Sequence, residues 1–335
     1  MNAGANRSTM MMPGSDSAVD RSDSHRVVVI GECMIELSSL ESSVDCWRMR
    51  FAGDTLNTAT YMARLGGNIA YLTAIGADRF SAAMLQQWQA DGIDTSLVQT
   101  RPDRLPGLYA IETDATGERH FHYWRENSAA RTLFDHDEGG NDRLQSALSA
   151  AASADLLYLS GITLSLFNSA GQRRLIDLCS GVRAQGGLVA FDPNYRARGW
   201  HSPDEARAVI GAVAPYVSIA LPTFDDEASL YGDISPAATH ARWVAAGAGE
   251  VVVKMGPDGA LVDSGDIIAG PRVLHPLDTT GAGDAFNAAY LSARVHGHDR
   301  TEAATAGNAL AATVIQHPGA IIDWAFMNSA GAKAL

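Results

Sequence analysis

Lysine is nearly absent from this chain: of its 25 lysines and arginines only two, Lys254 and Lys333, are lysines. Neither lies in a Gly-Lys-Ser or Gly-Lys-Thr sequence, which excludes a P-loop. Cysteine is scarce too. Cys33, Cys46 and Cys179 are odd in number and far apart, so neither a disulfide framework nor a metal-binding spacing follows, and a reducing cytoplasm is the expected setting. No basic stripe offsets the formal net charge of −13, which argues against nucleic acid as a partner. No apolar run is long enough to span a membrane. Residues 1–25, rich in Ser, Asp, Gly and Asn, lack the apolar stretch of a signal peptide and are expected to form a disordered tail, or to reflect an overlong start.

What is present reads as a large α/β chain. The β-branched run Val27-Val28-Val29-Ile30 ends in Gly31, as a buried first strand does. Apolar runs at 69–75, 156–160, 188–192, 218–221 and 250–255 then alternate with helical patterns at 55–65, 80–91, 170–185, 203–212, 236–246, 282–296 and 301–315. Such alternation implies a mainly parallel sheet covered by helices on both faces. Residues 34–51 and 108–125 alternate apolar and polar instead, with Asp114-Ala115-Thr116-Gly117-Glu118 as a hairpin turn. They are expected to form a small β lid on one α/β domain spanning 26–327, before a short tail at 328–335.

Chemistry concentrates in Asp278-Thr279-Thr280-Gly281-Ala282-Gly283-Asp284-Ala285-Phe286. A glycine-rich turn here runs into a helix, so the backbone at Gly281, Ala282 and Gly283 can approach an anion and offer it free N–H groups. Asp284, at the mouth of that hole, is suited to take a proton from an attacking hydroxyl. The plain alternative is a turn with a helix-capping Asp. A Rossmann fingerprint does not fit, because the third glycine is missing. Upstream, Ala52-Gly53-Asp54-Thr55-Leu56-Asn57 opens another helix, and Asp54 and Asn57 are either caps or ligands for sugar hydroxyls. On the lid, Tyr109 and Tyr123 share strand parity. Arg125, with Arg196 from Asn194-Tyr195-Arg196, offers planar forks that suit a carboxylate or phosphate, the alternative being surface ion pairs.

These two glycine-containing segments resemble the signature regions of the PfkB/ribokinase family of carbohydrate kinases, over about residues 26 to 325. Gly31-Glu32-Cys33-Met34-Ile35-Glu36-Leu37, Leu105-Pro106-Gly107-Leu108-Tyr109, Tyr123-Trp124-Arg125, Asp192-Pro193-Asn194-Tyr195-Arg196 and Val314-Ile315-Gln316 are most similar to its 2-dehydro-3-deoxygluconokinase subgroup. The resemblance implies a ribokinase-like three-layer α/β/α domain with a β-sheet lid, ATP and Mg²⁺ as cofactors, and phosphorylation of the C6 hydroxyl of a sugar acid. It implies Asp284 as catalytic base and Gly281, Ala282 and Gly283 as the anion hole. Gly53, Asp54, Asn57, Tyr109, Tyr123, Arg125 and Arg196 then face the acceptor, and Thr223, Lys254, Gly256, Gly259 and Asn308 join Gly281 and Gly283 around the nucleotide. Thr223 and Asp226 stand where many ribokinase-like enzymes have Asn and Glu, so the residue organising the metal is not identified. The family also implies a homo-oligomer, with a dimer through the lid favoured. A fructokinase, ribokinase or nucleoside kinase on the same fold, and a non-catalytic sugar-acid binding protein, are the alternatives.

Overall fold

The computed structural model describes residues 25–40, 43–113, 119–135, 142–263 and 265–329. The tails expected at either end, and the turn at 114–118, lie almost wholly outside those residues. Strand β1 (Arg26–Ile30) leads to the pair β2 (Met34–Leu40) and β3 (Ser43–Ala52), then to α1 (Asp54–Arg64), β4 (Asn68–Leu72), β5 (Ala74–Ile75), α2 (Arg79–Ala90) and β6 (Gln99–Thr100). A second pair, β7 (Gly107–Thr113) and β8 (Arg119–Trp124), precedes α3 (Asp142–Ala152), β9 (Leu156–Ser160), α4 (Gly161–Leu166), α5 (Ser169–Ala184) and β10 (Leu188–Asp192). Next come α6 (Pro203–Val213), β11 (Ile219–Ala220), α7 (Phe224–Tyr231), α8 (Pro236–Ala245), β12 (Glu250–Val251) and β13 (Val253–Lys254). The remaining elements are β14 (Ala260–Asp263), β15 (Asp266–Ile268), α9 (Ala282–Val295), α10 (Arg300–Val314) and α11 (Trp324–Ser329).

Six strands form one sheet in the order β12-β11-β10-β9-β1-β4, and every pairing in it is parallel. Side chains alternate along a strand, and here both faces are covered. Val27, Val29, Tyr71 and Tyr158 enter one core with α1, α2, α9 and α10, while Val28, Ile30, Leu72 and Leu159 enter the other with α3, α5, α6 and α8. The result is the three-layer α/β/α arrangement expected from the sequence. The strand order reverses between β1 and β9, and in open α/β sheets a ligand crevice opens beyond the strand ends at such a point.

The lid is the four-stranded sheet β3-β2-β7-β8. It is mixed, not purely antiparallel: two antiparallel hairpins join along a parallel β2–β7 pair. Two apolar runs read as single strands are divided. The run at 69–75 breaks at Thr73, after which β5 leaves the main sheet to pair with β6. The run at 250–255 breaks at Val252, and β13 joins β14 in a small three-stranded sheet. Among the described residues no helix is long and apolar enough to cross a membrane.

Helix α10 starts with a capping box: the Asp299 side chain accepts from the Glu302 N–H, and the Glu302 side chain reaches back to the Asp299 N–H. Asp299→Ala should cost about 1 kcal/mol, seen as a lower urea midpoint at unchanged slope. An unchanged midpoint would show that this helix start is satisfied in another way.

Candidate active site

Helices α2, α4, α5, α6, α8 and α10 begin with side-chain caps from Asp78, Ser160, Asn168, Ser202, Ser235 and Asp299. Helices α1, α7 and α9 begin at Gly53, Thr223 and Gly281 with no side-chain cap. Those are the starts that the sequence assigns to ligands, and a helix start without a cap keeps N–H groups for an anion. Gly281 has φ of 75°, and a Cβ there would come within 2.8 Å of the Ala320 backbone. The turn is pinned by Asp278, whose carboxylate accepts from Thr280 N–H at 2.9 Å and from Gly319 N–H at 2.8 Å. A Cβ on Gly283 would lie 3.6 Å from Lys254 Nζ, so a cation sits beside this turn.

Behind the turn, five elements, α1, β9, β10, β13 and α9, meet in one polar network. Asn57, on the first turn of α1, accepts from Gly53 N–H at 3.4 Å and donates from Nδ2 to Asp284 Oδ2 at 2.8 Å. Thr58 Oγ1 donates to the Asp284 carbonyl at 3.2 Å, fixing α1 against α9. Asn287 lies three residues after Asp284, on the same face of α9. Its Nδ2 donates to Asp192 Oδ2 at 2.7 Å and to the Tyr158 hydroxyl at 3.0 Å. Lys254 Nζ donates to Asp192 Oδ2 at 2.6 Å and to Asn287 Oδ1 at 3.1 Å. Asn194 N–H donates to Asp192 Oδ1 at 3.1 Å, while its side chain donates to Asp54 Oδ2 at 3.0 Å. Asn194 is also the one described non-glycine residue at positive φ, 35°. Conformations of this kind cost energy and persist where surrounding contacts enforce them, as these two hydrogen bonds do.

The electrostatics follow from three carboxylates sharing one ammonium. Burial pushes the Asp284 carboxyl from the usual 3.8 up to about 7, helped by the nearby Asp54 and Asp192 charges and opposed by the Asn57 hydrogen bond and Lys254. Burial likewise raises Asp54. A carboxylate held near neutrality beside an uncapped helix start has the properties of a general base next to an oxyanion site.

The other expected residues are divided among separate partners. Arg125 and Arg196 do not converge as ligand-free companions: Arg125 pairs with buried Glu32, and exposed Arg196 grips Asp226 with contacts of 2.9 and 3.0 Å. The Tyr109 hydroxyl donates to Glu36, its cross-strand neighbour, while Tyr123 stacks on Tyr109 at 5.8 Å and is exposed. Lys254, expected at the nucleotide, has its ammonium turned inward to Asp192, because that buried carboxylate needs a counter-ion. Thr223 bridges to Lys254 at the start of α7. Gly256 and Gly259 open and close a short turn at φ 57° and 92°, and a Gly259 Cβ would lie 2.1 Å from the Ile268 carbonyl. Asn308 donates to that same carbonyl at 2.8 Å, so its amide holds β15. Asp192, Asn194 and Glu32 carry a sequence signal through their place after strands and through the segments that resemble the sugar-acid kinases. Asn287 could have been found from its helical spacing to Asp284, whereas Tyr158, inside a strand, offers none.

Residues 24–326 match the pfkB family carbohydrate kinase profile. The chain belongs to that family. Among relatives of this carbohydrate kinase, 2-dehydro-3-deoxygluconokinase from Dickeya dadantii is 42% identical over 306 residues, covering 88% of this chain and 96% of its own. The enzyme of that name from Escherichia coli K12 is 43% identical over 309 residues, covering 89% and 97%. In fold the kinase is similar to a putative ribokinase II from E. coli in complex with ATP and Mg²⁺. That match has a TM-score of 0.78 and 22% identity, over 91% of this chain and 98% of that one.

The raised Asp284 carboxyl generates a stability test. In the unfolded kinase this group ionises near 3.8, so folding above that pH must either take up a proton or bury a charge. The cost is absent below about pH 4, grows with pH, and is complete above about 7. Asp284→Asn should therefore raise Tm at pH 8, by roughly 2 °C for each kcal/mol relieved, and raise it less at pH 5. An equal change in Tm at both pH values would mean that the carboxyl titrates normally.

Proposed function

We propose that this kinase transfers the γ-phosphoryl group of ATP to the C6 hydroxyl of 2-dehydro-3-deoxy-D-gluconate. The observation that carries the reading is the Asp284 carboxyl, hydrogen-bonded by Asn57 and held near neutrality at the start of uncapped α9. Relatives at 42% and 43% identity that bear this activity in their names support the choice of acceptor. Asp284 takes the proton of the C6 hydroxyl as its oxygen attacks the γ-phosphorus, the bond to the ADP oxygen breaks, and the proton stays on Asp284. Charge spread over the phosphoryl oxygens is met by the N–H groups of Gly281 and Gly283 and by the nearby Lys254 ammonium, whereas the Ala282 N–H, expected in the same hole, donates to the Thr279 carbonyl at 3.3 Å. Asp54 and Asn57 orient the sugar hydroxyls, and Tyr109, Tyr123, Arg125 and Arg196 line the acceptor side. The turn from Gly256 to Gly259, with Thr223 and Asn308, borders the nucleotide. The lid excludes water, which suppresses hydrolysis of ATP.

Among the described residues no group of three or more His, Cys, Asp or Glu is placed to hold a metal. Magnesium bound to ATP needs only one or two carboxylates beyond the phosphates and waters, and Asp226, at the start of α7, fits that need. The ion would supply neutralising charge to the phosphate oxygens. We assign the enzyme to the cytoplasm, as one domain over residues 26–327, and assign a dimer contact to the lid sheet.

A coupled assay for ADP release with 2-dehydro-3-deoxygluconate, fructose and ribose tests the reading directly. The sugar acid should be turned over fastest, and faster turnover of either neutral sugar would replace the proposed acceptor. Asp284→Asn should lower kcat by about 10²- to 10⁴-fold with both substrates still bound. Near-normal turnover in that variant, correctly folded, sinks the base assignment. The acid limb of kcat/KM, which reports the free enzyme, should fall near pH 7 in the parent. In Asp54→Asn it should move to lower pH, because one neighbouring negative charge is gone. A limb that stays in place would mean that another group titrates.

A further inference from the structure

We propose that Glu32 is a positioning residue for the acceptor's carboxylate: it holds the lid residue Arg125 so that the rest of the guanidinium fork faces the sugar acid. The proposal rests on the sugar-acid reading above and adds a residue that fixes its selectivity.

Glu32 follows β1 at the reversal of strand order, is 3% exposed, and makes an ion pair with Arg125 at the end of β8. The pair is sealed in but incomplete. Beyond the contact of Arg125 Nη2 with Glu32 Oε2, no partner reaches either Glu32 carboxylate oxygen, nor Arg125 Nε or Nη2, and all four atoms are buried. A buried ion pair serving stability alone needs its remaining donors and acceptors satisfied, because desolvation otherwise exceeds the attraction. This one leaves them open, and Nη1 is the corner of the fork that is not sealed off.

The surroundings are built to the pair. A Cβ on Gly107, at the start of β7, would lie 3.0 Å from Glu32 Oε1 and 3.2 Å from Arg125 Cβ, so glycine makes room for both partners. The Glu32 carbonyl abuts Gly53, where a Cβ would come within 2.1 Å, which locks Glu32 to the start of the helix that carries Asp54 and Asn57. Glu32 thus couples the lid's charged fork to the hydroxyl-binding helix. Arg196 is different: it is 56% exposed and already engaged at Asp226.

The experiment compares Glu32→Gln and Gly107→Ala with the parent. Glu32→Gln keeps the shape and removes the charge, while Gly107→Ala keeps the charge and crowds the pair. Binding of 2-dehydro-3-deoxygluconate is measured by calorimetry without nucleotide, and KM and kcat are measured for that acid and for a neutral analogue lacking the carboxylate. Both variants should raise Kd and KM for the acid about 10-fold, with kcat within about threefold and with the constants for ATP and the neutral analogue unchanged. In an Arg125→Met background, Glu32→Gln should have no further effect. Tighter binding of the acid by Glu32→Gln would make Glu32 a competitor of the substrate and overturn the proposal. Equal losses on both acceptors, or normal acid binding by folded Gly107→Ala, would overturn it as well. Failure of the parent to phosphorylate the acid would instead remove the functional reading, while the calorimetry on the acid still judges Glu32 by itself.

Discussion

The whole centre depends on keeping three carboxylates, Asp54, Asp192 and Asp284, largely out of water around a single ammonium. Each ion taken from water costs several kcal/mol even after relaxation, and mutual attraction offsets this only when the remaining lone pairs are bonded. Here they are. Asp192 receives Lys254, Asn287 and the Asn194 N–H, Asp54 receives the Asn194 amide, and Asp284 receives Asn57. These partners come from α1, α9, β13 and the turn after β10, so the charge balance and the packing of α1, α9, β10 and β13 are one problem with one solution. Burial, with the imbalance that survives, lifts the Asp284 carboxyl to about 7.

The same logic explains where the molecule leaves local structure unfinished. Helices α2, α5, α6, α8 and α10 satisfy their first N–H groups with Ser, Asp or Asn, as does α4 beside Asp54 with Ser160, while α1, α7 and α9, which open toward the centre, do not. Asn194 is held at positive φ in the same place, and the Glu32–Arg125 pair lies buried without its full set of hydrogen bonds. Missing caps, a strained residue and a half-satisfied ion pair are each costly, and they are concentrated at one end of the parallel strands, where a functional site is expected.

Most of this was legible in the sequence wherever the signal was local. Helices α2, α5, α6, α8, α9 and α10 fall within a residue or two of the boundaries read from 3.6-residue periodicity, aided by cap residues such as Ser202 and Ser235 just before a proline. Helices α3, α4 and α7 were not read, and α4 and α7, of six and eight residues, are too short to show a period. The break at Val252 was invisible, since continuous apolar character says nothing about which sheet each half will join. At the centre, the Gly281–Asp284 turn could be read because its chemistry lies in neighbouring residues. The inward turn of Lys254 could not, because it depends on Asp192, 62 residues earlier, and on Asn287. Arg125 was noticed as a fork, but its partner Glu32 is fixed by tertiary packing across the strand ends.

Helix α1 buries Thr55, Leu56, Asn57, Thr58, Ala59, Thr60, Tyr61 and Met62 in succession, and much of that cover comes from the far end of the chain. Asn57 meets Asp284 across 227 residues, and Tyr61 meets the Ala320 carbonyl across 259. At ribosomal rates of 5–20 residues per second the α1 surface stands uncovered for roughly 10–50 s before α9 exists to close it. A nascent chain therefore holds an open apolar and polar seam for most of its synthesis, with catalytic competence arriving only after its last fifth has emerged. The long-range contact that makes the site also makes its assembly the step most exposed to chaperones, proteases and misassociation.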